Sequence, residues 1–263
     1  MTADKRARLE SRYLQMGDTT IHYQVAGEGR PVVLVHGLSG STRWWARNVG
    51  PLAERFRVYV VDLIGFGGSR AASRFALREA TGHLVRWMDR LALDRASVIG
   101  HSMGGFIAAD LAADVPARVD HLVLVDAVAL PLGRTRWRQA VGLLHGLWRL
   151  PVGFLPILLA DAHRAGPATI LRAAHELLAA DIQAKLARVA APTLLIWGER
   201  DAIVPVELGE RLARALPRAR LVVLPGAGHN PMWDRADAFN RAVLAFLAEE
   251  RPARAVAAAR SAA

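Results

Sequence analysis

The chain contains no cysteine. That absence excludes disulfides, a thiolate nucleophile and thiolate-ligated metals, and leaves the compartment open. There is no Gly-x-Gly-x-x-Gly turn opening a helix after a first strand and no phosphate loop, so neither a dinucleotide nor a nucleotide phosphate has a recognisable cradle. Histidines and carboxylates show no metal-ligand spacing such as His-x-x-x-His with a third ligand. The sequence therefore calls for no cofactor and no metal. Lysine is scarce: the 34 basic residues behind the net charge of +10 are mostly arginines spread along the chain. Such dispersal does not make the basic stripe of a nucleic-acid binder, so no nucleic-acid partner is expected, although attraction to an anionic substrate or surface is left open. No repeat and no Gly/Ser- or Pro-rich linker divides the 263 residues. Met1 to Arg12 carries no apolar segment of the kind that begins a secretory signal, and a cytoplasmic location is expected.

What is present begins with Gly100-His101-Ser102-Met103-Gly104. An apolar run, Ala96-Ser97-Val98-Ile99, leads in, and a helix-like stretch from Gly105 leads out. This is a strand, a sharp turn and a helix with a serine at the apex, and the glycines allow strand and helix to approach closely. A serine hydroxyl is a weak nucleophile unless a histidine takes its proton and a carboxylate fixes that histidine's tautomer. Asp201 follows the strand Pro192 to Trp197, and His229 follows the strand Leu221 to Leu224. The order Ser, Asp, His, each just beyond a strand, makes Ser102, Asp201 and His229 the candidate nucleophile, acid and base. Asp126, at the end of His121 to Val125, is the rival acid.

On these residues the chain resembles the α/β-hydrolase family over about Tyr13 to Leu247. The resemblance implies a mostly parallel, eight-stranded sheet covered by helices on both faces, with a helical cap inserted in its second half. It also implies an oxyanion hole from two backbone N–H groups, those of Leu38, after Val35-His36-Gly37, and of Met103. The run Asp62-Leu63-Ile64-Gly65-Phe66-Gly67-Gly68-Ser69 resembles the family's Asp-x-x-Gly-x-Gly-x-Ser turn, with Ile64 where proline is usual, and Asp62 reads as structural. His36 and His101 flank the serine and support its turn. Together with Trp233 and Trp148 they are also candidates for the substrate pocket, whereas Trp45 reads as core.

The organisation expected is a core of residues 1–127 and 189–250, a helical cap of 128–188 and a loose tail of 251–263. Near-continuous Val/Leu/Ile runs indicate strands buried on both faces. A hairpin turns at Gly17-Asp18, and helices are expected within Trp44–Phe56, Phe75–Leu91, Pro205–Ala215 and Ala236–Glu249. In the cap, Val141 to Ala160 is interrupted only by His145 and Arg149 among its charged or ionisable residues. Its length suits a membrane span, but Pro151, Pro156 and the glycines argue for a cap that lines an apolar pocket. Peripheral membrane contact through that cap is a second expectation.

The expected activity is hydrolysis of a carboxylic ester with a substantial apolar part, through an acyl-enzyme on Ser102. A carbon–carbon bond hydrolase, a perhydrolase or cofactor-free haloperoxidase, and a triad-bearing receptor for a small ligand are the alternatives. Oligomeric state is not addressed by the sequence.

Overall fold

The structure is a computed structural model, and the residues described are 8–71, 74–131 and 151–249. Trp148, the first half of the apolar cap run and the tail of 251–263 lie outside them. Eight strands form the main sheet: β1 (Glu10–Met16), β2 (Thr19–Ala26), β3 (Pro31–Val35), β4 (Arg57–Val61), β6 (Ala96–His101), β7 (Val119–Val125), β8 (Thr193–Gly198) and β9 (Ala219–Leu224). The short β5 (Arg70–Ala71) adds to β2 off this path. Their spatial order is β1-β2-β4-β3-β6-β7-β8-β9, antiparallel from β1 through β4 and parallel from β4 to β9.

Alternation along the central strands divides the core into two layers. Val33 and Val35 join the cluster beneath α2 (Leu77–Arg90) and α3 (Met103–Asp114). Val32 and Leu34 join the opposite cluster, beneath α1 (Val49–Ala53) and the final helix. Both faces are covered, which is why the strands are apolar without interruption. The edge departs from that rule, since most of β9 is half-buried or exposed.

The helix expected within Trp44–Phe56 is two pieces, a 3₁₀ turn at Thr42–Trp45 and α1. The side chain of Asn48, between them, donates to the carbonyl of Met232 at 3.0 Å and to Oδ1 of Asn240 at 2.9 Å. Pro51 sits in the first turn of α1, where no intrahelical N–H is required.

Between β7 and β8 the described chain is helical: α4 (Leu155–Ala165), α5 (Pro167–Ala179) and α6 (Gln183–Leu186). Beyond β8 come α7 (Val206–Ala215), α8 (Pro231–Asp234) and α9 (Ala236–Leu247). No helix of the described residues is long and apolar enough to cross a membrane.

Candidate active site

Ser102, Asp126 and Asp201 follow β6, β7 and β8, His229 follows β9, and the loop from His36 follows β3. Because these strands are neighbours and parallel, all five segments emerge at one edge of the sheet.

Ser102 sits between β6 and α3 with φ +53° and ψ −112°. For a residue with a Cβ this is a strained conformation, costing about 1–3 kcal/mol. The surroundings impose it: a Cβ on Gly100 would lie 2.2 Å from the carbonyl oxygen of Gly104, and one on Gly104 would lie 2.4 Å from that of Val35. No side chain fits at either place, so strand and helix close together and leave the serine at the apex. The Ser102 N–H is fixed by the Val125 carbonyl at 2.9 Å.

The serine Oγ lies 3.2 Å from His229 Nε2, and His229 Nδ1 lies 2.7 Å from Asp201 Oδ2. Asp201 is itself held, since its Oδ1 accepts the N–H groups of Ile203 at 2.8 Å and Val204 at 2.9 Å. With Nδ1–H committed to Asp201, Nε2 keeps the lone pair that faces the serine.

Asp126, the rival acid, is fully buried with φ +43°. Its Oδ1 accepts the Gly198 N–H at 2.9 Å, and it approaches Asp201 rather than replacing it. Burial first, then the charge of Asp201, pushes its carboxyl well above the usual carboxylate range, so its charged form is disfavoured there. His101, Asp126 and His229 each offer one ligand atom within 4.8 Å of the others. Both His229 nitrogens are already engaged by Asp201 and Ser102, however, so the set fits support of those residues better than a cation.

The two flanking histidines are anchored. His36 donates from Nδ1 to the Gly37 carbonyl at 2.7 Å and accepts the Leu63 N–H at Nε2 at 3.0 Å. With both nitrogens used, His36 joins the loop after β3 to the loop after β4 and has none left for a substrate. His101 donates from Nε2 to the His229 carbonyl at 2.7 Å, fixing the backbone at His229. Burial holds both imidazoles below their ordinary range, and His101 well below it, so both are neutral.

Leu38 lies in the turn that Gly40 N–H closes on the Gly37 carbonyl at 3.1 Å. A Cβ on Gly37 would come within 3.2 Å of the Ser102 Cβ, so the missing side chain lets this turn approach Ser102. Met103 is the first residue of α3, where an N–H has no intrahelical acceptor.

Trp233 is buried against Phe154, with ring centroids 5.1 Å apart, and Phe154 is 5.1 Å from Trp44, which in turn is 5.6 Å from His101. Trp45 packs on Phe239 in the core. Phe154 was not anticipated. Neither was Asp161, which is wholly buried, accepts from Ser41 Oγ at 2.8 Å and pairs with Arg43. These two residues fasten the cap to the loop after β3. The available signal was a lone acid in an otherwise apolar helix start, Leu155 to Ala160. The guanidinium of Arg47 lies 4.4 Å from the Trp233 ring centroid and donates to the Trp233 carbonyl at 3.0 Å.

A family model of the alpha/beta hydrolase family matches residues 32–242. A protein of Variovorax paradoxus assigned as the carbamate hydrolase RutD is 34% identical over 255 residues, covering 87% of this chain and 96% of its own. The 2-hydroxy-6-oxononadienedioate/2-hydroxy-6-oxononatrienedioate hydrolase of Paraburkholderia xenovorans is 31% identical over 273 residues, covering 88% and 92%. Among solved structures, the enol-lactonase of Burkholderia xenovorans superposes with a TM-score of 0.74 at 28% identity, covering 90% of this chain and 100% of that one. A matching family model, a mostly parallel sheet and a serine, histidine and aspartate gathered at its C-terminal edge lead to one assignment: the chain belongs to the alpha/beta hydrolase family and is a hydrolase.

Proposed function

We propose that the protein hydrolyses a carboxylic ester carrying a substantial apolar group, through an acyl-enzyme on Ser102. The observation that carries this reading is the chain of contacts from Ser102 Oγ through His229 to Asp201, 3.2 and 2.7 Å. In the reaction, Ser102 Oγ attacks the carbonyl carbon and its proton passes to His229 Nε2. The 3.2 Å separation shortens when substrate binds, as is common for such bonds in unliganded sites. The negative charge that develops on the carbonyl oxygen is received by the N–H groups of Leu38 and Met103, each worth about 3 kcal/mol to the transition state. His229 then protonates the departing alkoxide. Water, deprotonated by the same histidine, releases the acid and restores the serine. Asp201 keeps the imidazole in the required tautomer throughout.

Support for an apolar, uncharged substrate comes from the aromatic group that Trp44 and Trp233 form with Phe154 of the cap. Arg43 and Arg47, the arginines that follow the oxyanion loop, are committed to Asp161 and to Trp233. They are poorly placed to hold a substrate carboxylate. The enol-lactonase likeness adds to this reading, a lactone being a cyclic ester.

Carbon–carbon bond hydrolysis is the second reading, favoured by the likeness to the Paraburkholderia xenovorans enzyme. The two are separated by assaying a chain-length series of p-nitrophenyl esters beside a vinylogous diketone carboxylate, with the wild type and Ser102→Ala. Rapid turnover of medium-chain esters, lost in the variant, is expected. Turnover of the diketone with esters untouched would overturn the ester assignment, and a folded protein inert to both would indicate a ligand-binding role.

A further inference from the structure

The catalytic edge does not use a second serine, histidine and aspartate at the far side of the sheet. Ser11 lies in the outermost strand, β1, diagonal to His22 on β2, whose direct partner is Tyr13. Ser11 Oγ is 2.6 Å from His22 Nε2, and His22 Nδ1 is 2.7 Å from Oδ2 of Asp62. Three side chains thus repeat the connectivity of Ser102, His229 and Asp201, with a shorter serine contact.

The carboxylate at the end of this relay is firmly held. Asp62 accepts the N–H of Thr42 at Oδ1 and that of Gly68 at Oδ2, both at 2.6 Å. Burial opposes its ionisation, but these bonds and the one from His22 outweigh burial and hold the carboxyl below its usual range. An ionised Asp62 accepts the Nδ1–H of His22, which leaves Nε2 as the basic nitrogen facing Ser11. The backbone of His22 is also fixed, its N–H donating to Ser69 Oγ at 2.9 Å.

Two features separate a nucleophile from an ordinary hydrogen-bonded serine. Ser11 is exposed, so an electrophile can reach it. Leu9 and Tyr13, two residues to either side, are 44% and 65% exposed and offer an apolar seat for the group it carries. The His22–Asp62 pair on its own would pin the turn after β4, and that role needs neither Ser11 nor its exposure.

We infer that Ser11, activated by His22 and Asp62, is a second nucleophilic serine that accepts acyl or phosphonyl groups from activated donors. Oγ attacks the phosphorus or carbonyl carbon and forms the new bond while its proton moves to His22 Nε2. The bond to the leaving group breaks, and fluoride or phenolate departs with the proton from His22. Inside a regular strand successive N–H groups point to opposite sides, so Ser11 lacks the convergent pair expected at Ser102. Modification is therefore stoichiometric, with no turnover.

The test treats Ser102→Ala with a fluorophosphonate and reads intact mass and modified peptides over time. One adduct on Ser11 is expected. It should be absent from Ser102→Ala/Ser11→Ala, and in Ser102→Ala/His22→Gln it should form at least about ten times more slowly, because the base that takes the serine proton is gone. The fold of the histidine variant is checked by its thermal transition. An unmodified Ser102→Ala protein, an adduct elsewhere, or a Ser11 adduct that forms as fast with Gln at position 22 would each overturn the inference. In the wild type the two serines are distinguished by peptide, so failure at Ser102 bears on the hydrolase reading alone.

Discussion

Two carboxyl groups compete for the role of triad acid, and exchanging each for its amide separates them. Asp201→Asn removes the charge that meets His229 Nδ1 at 2.7 Å. The amide can present N–H there, which favours the wrong tautomer, a change worth about 10⁴ in kcat in a serine triad. Asp126→Asn is different in kind, because Asp126 bonds the Gly198 N–H rather than His229 and burial already disfavours its charged form. An asparagine keeps an oxygen for the Gly198 N–H, at 2.9 Å in the native protein, and brings no charge beside Asp201. Its kcat should stay within about 3-fold of the wild type, less than 1 kcal/mol of transition-state energy. Asp126→Ala leaves the buried Gly198 N–H unpaired, costing about 1–3 kcal/mol of stability, or roughly 2–10 °C in Tm. The assay is kcat and KM on the best p-nitrophenyl ester, with thermal melts of the same preparations. If Asp126→Asn loses activity as Asp201→Asn does, or if Asp201→Asn stays fully active, the assignment of Asp201 is wrong.

Three further outcomes are expected. Because the Asp126 carboxyl titrates higher in the folded chain than in the unfolded one, where about 3.9 applies, the native state binds more protons between those values and Asp126 costs stability as pH rises through that window. The Tm advantage of Asp126→Asn should therefore grow as pH rises above the ordinary carboxylate range, and a gap that does not change with pH would refute the upward shift of Asp126. Gly104→Ala places a Cβ 2.4 Å from the Val35 carbonyl and 2.5 Å from that of His36, so a strand must shift. A loss above about 4 kcal/mol, or failure to recover folded protein, is expected in a chemical denaturation experiment. Phe154→Ala removes a fully buried anchor of the cap, for about 3–5 kcal/mol, and Asp161→Ala frees Arg43 and Ser41. Limited proteolysis of both should cut within the cap before the core, with KM raised more than kcat is lowered; cleavage in the core first would contradict a cap fastened by these two residues.

The sheet was legible in the sequence because its central strands are apolar on both faces and are punctuated by glycine turns, a pattern that survives without knowledge of neighbours. The same holds for Ser102, whose two glycines report a close approach that only a residue without Cβ permits. Asp201 and His229 could be named from chain order, yet their meeting is a property of adjacent parallel strands. The break of the helix near Asn48 was not legible, since its cause is a set of bonds to residues about 190 positions away.

Local pattern, then, determined the fold class, the strand–turn–helix around Ser102 and the candidates for acid and base. Tertiary structure decided which groups share a proton or a bond. It set Asp126 beside Asp201 as a carboxyl whose charge is disfavoured, tied up both nitrogens of His36, drove Phe154 and Asp161 of the cap into the core, and brought Ser11 to His22 and Asp62. Apart from the bond of His36 to its neighbour Gly37 and the step across the β1–β2 hairpin from Ser11 to His22, these are contacts between segments well separated in the chain. The periodicity of a chain encodes which face is buried, but not what that face will meet.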